Sequence, residues 1–180
     1  MRYISAPWRA AYVRGAAAAS GCLFCRAVRG RDDAAAAVLF RGRHHVVLLN
    51  RFPYTPGHLM IAPKRHLADF TQARPAERAE LADLLRAALR ILRRRYAPHG
   101  FNAGMNLGRS AGAGVAGHYH LHIVPRWTGD SNFMPLVAGA RVFIEDLRTT
   151  YDRLRPLFDE LQGRPRGEGR ARRSSPIHSR

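Results

Sequence analysis

The chain has 180 residues, 46% of them hydrophobic, and a formal net charge of +17 at pH 7. That length and apolar content suffice for one core, so a single self-folding domain with a tail is expected. No apolar run nears the ~18 residues of a transmembrane helix, which argues against a membrane protein, and the positive charge favours anionic partners such as nucleotides or nucleic acid without choosing among them.

The opening stretch "MRYISAPWRAAYVRGAAAASGC" is interrupted by Pro7, Trp8, Arg9 and Arg14. That pattern does not fit a signal peptide, so a cytoplasmic protein is expected. Residues 1–21 read as an irregular arm around Trp8 and Tyr12. The two cysteines, Cys22 and Cys25 in "GCLFCRA", have a spacing that in a cytosolic chain points to metal or redox chemistry rather than a structural disulfide. "AAVLF" and "HHVVLLN" predict two strands joined by a turn at "RGR", and "HLMIAPKRH" predicts a third after the loop "FPYTPG", giving an antiparallel meander.

Residues 75–96 predict a helix: Pro75 suits the first turn, and Leu81, Leu84, Leu85, Ala88 and Leu92 recur at helical spacing. Arg93, Arg94 and Arg95 complement the helix dipole at its C-terminal end, which reads as a solvated helix end rather than a nucleic-acid patch. After a stop at "APHG", "FNAGMNLG" predicts a strand and "RSAGAGVAG" a glycine-rich loop that leads into "GHYHLHIVPRW". A last helix is expected over about 143–162. The sum is an α+β domain over residues 22–163 with a mainly antiparallel sheet, a long central helix and a C-terminal helix. Residues 164–180 carry six arginines, one glutamate and almost no apolar residue, so they are expected to be a disordered basic tail, the segment most suited to nucleic acid.

The chemistry concentrates in residues 118–122, where His118, His120 and His122 alternate with Tyr119 and Leu121. On a strand the three imidazoles would share one face while Tyr119, Leu121 and Ile123 point to a core. A metal site is one reading, but Cα atoms two and four apart on a strand are separated by roughly 6.6 and 13 Å, so one ion would take at most one or two of the three. The other is nucleophilic catalysis. A neutral imidazole can attack phosphorus without a base, and a second one donating a hydrogen bond would stabilise the developing charge. Backbone amides of "SAGAGVAG", at Ser110, Gly112 and Gly114, could approach phosphate oxygens closely. His44 and His45 read as surface or turn residues, His99 as a cap at a helix end, and Trp127 as a packing anchor or dimer contact.

"HYHLHIV" resembles the motif of the histidine triad superfamily, nucleotide hydrolases and transferases that act at an α-phosphate through a nucleotidyl-histidine. "LLNRFPYTPGHLMIAPKRH" is similar to that family's nucleotide-binding strand pair, and "CLFC" to the zinc-binding cysteines of its bacterial members. "APWR", "PHGFNAGMNLG" and "VPRWTGDSNFMP" look like the branch that contains actinobacterial diadenosine tetraphosphate phosphorylases, and the likeness runs from about Trp8 to Leu161.

The resemblance implies a homodimeric enzyme that cleaves a dinucleoside polyphosphate by phosphorolysis or hydrolysis. A nucleoside phosphoramidase, or a basic nucleic-acid-binding protein on the same scaffold, is the alternative. It implies His120 as the nucleophile, His122 on the same phosphate, and His58 orienting the triad. It further implies Asn50 at the ribose, Asn106 near the scissile phosphate, and a base shelf that includes Phe40 and Leu48. Cys22, Cys25, His66 and His118 would hold a structural zinc. One departure stands out: where familiar members carry Gln and then Ser or Thr before the triad, this chain has Gly114 and Val115. Contacts to the leaving phosphate would then fall to Ser110, Arg109 or backbone amides.

Overall fold

The structure is a computed structural model that describes residues 21–130 and 145–162. All but Gly21 of the expected N-terminal arm, the basic tail and most of "GDSNF" lie outside the described residues. Five strands, β1 (Val38–Arg41), β2 (His45–Leu49), β3 (Leu59–Pro63), β4 (Gly100–Met105) and β5 (Leu121–Arg126), form one sheet in the order β1-β2-β3-β5-β4. Every neighbouring pair is antiparallel. Among the described residues three α-helices accompany it: α1 (Leu23–Arg29), α2 (Pro75–Tyr96) and α3 (Leu147–Asp159). This is the expected α+β architecture, with β5 inserted against β3 at the centre of the sheet.

The sheet has two different faces. On one, Leu39, Val47, Leu49, Leu59, Ile61, Leu121 and Ile123 meet α2 and α3 through residues such as Leu84, Leu92, Leu154 and Phe158. On the other, Val38, Val46, Leu48, Met60 and Ala62 meet α1 through Phe24 and Ala27, with Ala36 and Val115 packed at the margin. Strands β2 and β3 are buried along their whole length, which is why they read as continuous apolar runs without alternation.

Helix α2 has the bounds that its periodicity predicts. Glu77 starts it by accepting from the Arg74 N–H at 2.7 Å, and its second oxygen faces Arg65 Nε at 2.9 Å. It stops at Ala97, which takes the left-handed conformation (φ 44°, ψ 50°) and donates its N–H to the Arg93 carbonyl.

Several expectations need correction. Helix α1 was not anticipated. Seven residues are too few for a self-supporting helix, and the order of α1 comes from elsewhere: Arg41 donates to the carbonyls of Ala27, Val28 and Gly30 at its C-terminal end. The last helix begins at Leu147, where Asp146 caps it by accepting from the Thr149 N–H at 2.9 Å, and ends in a 3-10 turn, Glu160–Gln162. Positions 143 and 144 of that expectation lie outside the described residues.

His45 is fully buried rather than a surface residue, with Nδ1 2.9 Å from the Glu80 carboxylate. Burial holds its pKa down, opposed by Glu80. Phe40 does not join Leu48 on a shelf. A bulge shifts the register between Val38↔Leu48 and Phe40↔Val47, so Phe40 turns to the α2 face while Leu48 stays on the α1 face. His99 does not cap a helix; its Nδ1 accepts from the Thr128 N–H at 2.9 Å and so holds the turn after β5. Trp127 is half-buried at the start of that turn, its N–H donating to Asp130.

Candidate functional site

β5 begins at Leu121, so of the three histidines only His122 lies in the ladder, opposite Met60 and Gly104. The same register continued would set Pro63 against Tyr119, and a proline has no N–H to donate. Tyr119 instead donates its N–H to the Leu67 carbonyl at 2.6 Å, which ties the segment 118–120 to that loop. The alternation survives: Tyr119 meets Phe70 and Leu121 joins the α2 face, while the histidines turn toward the α1 face. His120 is 4% exposed and His118 0%.

Backbone groups set the rings of His58 and His120, His58 sets that of His122, and the chain of contacts decides which nitrogen carries the proton. The Tyr54 N–H donates to His58 Nδ1 at 3.1 Å. His58 must therefore carry its proton on Nε2, which donates to His122 Nδ1 at 2.9 Å. His122 in turn keeps its proton on Nε2, as a donor. His120 Nδ1 donates to the His118 carbonyl at 3.0 Å, which leaves His120 Nε2 as a bare lone pair. The rings of His120 and His122 lie edge to face with centroids 4.7 Å apart. One lone pair and one N–H donor thus stand side by side.

The electrostatics keep this arrangement neutral. Burial pulls His58 down to about 3, helped by His122 and His120. Burial, then His120, pulls His122 down to about 4. His120 is lowered by burial and partly restored by the His118 carbonyl.

His58 follows Gly57, whose φ of +74° strains any residue with a Cβ and which lies in tight contact with Leu92 and Tyr96. Thr55 Oγ1 donates to the Pro125 carbonyl at 2.8 Å and ties this loop to β5. Asn50 follows β2 beside the site: its Oδ1 accepts from the Phe52 N–H at 2.9 Å, and its Nδ2 lies 3.4 Å from His58 Nδ1. Asn106 reaches the glycine loop, with Nδ2 3.5 Å from the Gly112 carbonyl. Ser110, Gly112 and Gly114 are exposed in that loop, as is Arg109. Val115, where a polar residue was the familiar choice, packs against the Phe24 cluster instead.

The expected ligand set comes together. Cys22 Sγ lies 3.3 Å from His118 Nδ1, Cys25 Sγ 3.3 Å from His66 Nδ1 and 3.7 Å from His118 Nδ1. All four donor atoms are within 4.8 Å of one another. Ligands of one tetrahedral zinc stand roughly 3.3–3.8 Å apart, so the set fits that ion. His118 Nε2 donates to the Pro63 carbonyl at 2.8 Å, which turns a bare Nδ1 toward the thiols. Burial holds His118 down at about 4, suiting a neutral ligand.

Two participants were missed from the sequence. Phe24, between the cysteines, packs on His118 and His120; its place inside "CLFC" was the available signal. The Tyr54 amide is a backbone donor, and no residue type announces it.

His118, His120 and His122 on one segment, with His58 from the loop just before β3 holding the last of them, make the arrangement that the motif "HYHLHIV" implied. The HIT domain family model matches residues 31–129, and the chain belongs to that family. It is 42% identical over 119 residues to an AP-4-A phosphorylase of Mycobacterium tuberculosis, a match covering 66% of this chain and 61% of that relative's length. Its fold is similar to a zinc-bound histidine triad family protein from Mycobacterium smegmatis, with a TM-score of 0.63 and 28% identity over 79% of this chain and 96% of that one. A hypothetical histidine triad nucleotide-binding protein from Sulfolobus tokodaii follows, with a TM-score of 0.61 and 25% identity over 78% and 94%. Among the described residues no helix is long and apolar enough to cross a membrane.

Proposed function

We propose that the protein is a nucleotidyl-transfer enzyme that cleaves a dinucleoside polyphosphate, such as diadenosine tetraphosphate, at an α-phosphate. The observation that carries this reading is the pairing of a lone pair on His120 Nε2, dictated by the His118 carbonyl, with an N–H donor on His122 Nε2, dictated by His58 and through it by the Tyr54 amide.

In the first step His120 Nε2 bonds to the α-phosphorus and the phosphorus–oxygen bond to the leaving polyphosphate breaks. The imidazole becomes cationic, and its Nδ1–H bond to the His118 carbonyl strengthens as the charge develops. His122 Nε2–H donates to a phosphoryl oxygen, with His58 holding the donor in place. In the second step phosphate or water attacks and the phosphorus–nitrogen bond breaks. Asn50, beside His58, would hydrogen-bond a ribose hydroxyl, while Asn106 and the loop at Ser110, Gly112 and Gly114 would contact the leaving side. The similarity to an AP-4-A phosphorylase supports phosphate as acceptor.

The cluster of Cys22, Cys25, His66 and His118 would hold a zinc ion that supplies structure, since four protein donors close its coordination. Residues 22–163 would form the HIT domain, working in the cytoplasm as a homodimer. The outer edge of β4, where Asn102, Ala103 and Gly104 are exposed, supports pairing with a second copy.

The test incubates the protein with diadenosine tetraphosphate, with and without inorganic phosphate, using His120→Ala as control. ADP plus ATP formed only with phosphate establishes a phosphorylase, and AMP plus ATP without it a hydrolase. Turnover surviving in His120→Ala overturns the mechanism.

A further inference from the structure

Phe24 stands where two sites meet. It is 1% exposed, on α1 between Cys22 and Cys25. Its ring lies 5.2 Å from that of His118 and 4.6 Å from that of His120, tilted by 52° and 38°. The hydrogen bond from His120 Nδ1 restrains the imidazole at one atom. A ring packed against its face restrains the plane, and the two together select a single orientation for Nε2.

What holds Phe24 there is divided between the two ends of α1. Arg41 anchors the C-terminal carbonyls of Ala27, Val28 and Gly30. At the N-terminal end Cys22 makes no side-chain cap and the first turn carries no acid. That end is tied instead through the thiols, which converge on His66 and His118. His118 therefore reaches the nucleophile by two routes: its carbonyl accepts from His120, and its ring shares Phe24 with it.

We propose that Phe24 is a positioning residue for His120, and that through it and the His118 carbonyl the occupancy of the Cys22, Cys25, His66 and His118 cluster by zinc sets the orientation of the imidazole that attacks. This rests on the nucleophilic role assigned above. An ion held by all four donors fixes the first turn of α1, keeps Phe24 on His120 and keeps the His118 carbonyl aimed at Nδ1. When the ion is withdrawn, the thiols and both ligand imidazoles lose their common centre. The first turn of α1 is then held by packing alone, and His120 samples a second rotamer and tautomer. The ion touches no substrate in this scheme, and its effect is transmitted by chain atoms alone.

The experiment uses the full chain in three forms: zinc-loaded wild type, the same protein stripped by a chelator and reloaded with zinc, and zinc-loaded Phe24→Leu. Leucine keeps the site apolar and removes the ring. Long-range proton–nitrogen spectra of labelled histidines report the tautomer of His120, alongside metal content, thermal midpoint and steady-state kinetics. The loaded wild type is expected to show one tautomer, with a bare Nε2. Stripped protein shows averaged shifts that zinc restores. Phe24→Leu keeps one zinc per chain yet shows the averaged spectrum, with kcat lowered roughly ten- to a hundredfold, as misplacement of a reacting group does.

A Phe24→Leu protein with full zinc, a wild-type His120 spectrum and unchanged kcat overturns the positioning role. A folded, stripped wild type whose His120 spectrum is unchanged overturns the link to zinc. If stripping unfolds the chain, zinc acts on the whole fold and the selective link from zinc to His120 is overturned, while the Phe24→Leu spectrum still decides the positioning role. A wild type that shows the single tautomer but turns over no dinucleotide would instead count against the proposed function, so the two failures are separable.

Discussion

His120 donates from Nδ1 to the carbonyl of His118, two residues back, at 3.0 Å. One histidine thus decides the tautomer of the next through its backbone while its own ring faces the cysteines. The local chain geometry bares His120 Nε2, and it does so with an oxygen that no side-chain substitution can remove. Three consequences concern the triad and two concern the frame around it.

His120→Ala is expected to abolish turnover, by roughly 10³-fold or more, since a covalent route has no substitute for its nucleophile. The fold should persist, because His120 lies beside the sheet ladder rather than in it. Product chromatography together with circular dichroism checks both halves.

His58→Ala should act through His122. It removes the Nε2–H donor at 2.9 Å and frees His122 to choose either tautomer. The loss of one buried orienting bond corresponds to about 1–3 kcal/mol, so kcat should fall roughly 10- to 100-fold with KM less affected. A kcat within a factor of two of wild type would remove His58 from the mechanism.

Stability should fall with pH, and the sign follows from the depressed pKa values. His58 at about 3 and His122 at about 4 stay neutral when folded, whereas an unfolded histidine protonates near 6.5. Between these values the unfolded chain binds more protons, so their contribution is complete above the unfolded value and is lost as pH drops toward 4. Each such histidine contributes a slope of at most about 1.4 kcal/mol per pH unit. Urea midpoints should decline from pH 7 to pH 5, and the decline should be shallower in His122→Gln; equal slopes would show that His122 is not held neutral.

Cys22→Ser should lower metal content and thermal stability more than it lowers the chemistry of the folded fraction. A fall of about 5–10 °C in Tm, the scale of a few kcal/mol in a chain of this size, is the expected outcome. Metal analysis of wild type purified without added zinc sets the reference, and a wild type free of metal would dismiss the site.

Ala97→Gly should stabilise. Ala97 sits at φ 44° after α2, a conformation that costs an L-residue with a Cβ about 1 kcal/mol and costs glycine nothing. A rise of up to about 1 kcal/mol in unfolding free energy, read by urea titration with activity unchanged, is expected.

Much of this was legible in the order of residues. The helix at 75–96 follows from Pro75 and the leucine spacing, because a 3.6-residue period needs no partner to be recognised. The shared direction of the three imidazoles followed from the two-residue period of extended chain, and the resemblance of "HYHLHIV", "PGH" and "CLFC" pointed to the other members of both clusters before their distances were known.

Tertiary structure decided the rest, through contacts between residues far apart in sequence. It ordered α1, which has too few residues to nucleate and takes its order from Arg41 and the cysteine cluster. It buried His45 against Glu80 across 35 residues, and it turned Phe40 away from Leu48 by a single bulge. It also assigned the protons of the triad. The partners that set them are the Tyr54 amide and the carbonyls of His118 and Pro63, and every residue type but proline carries the same amide and carbonyl, so only their positions in space distinguish them.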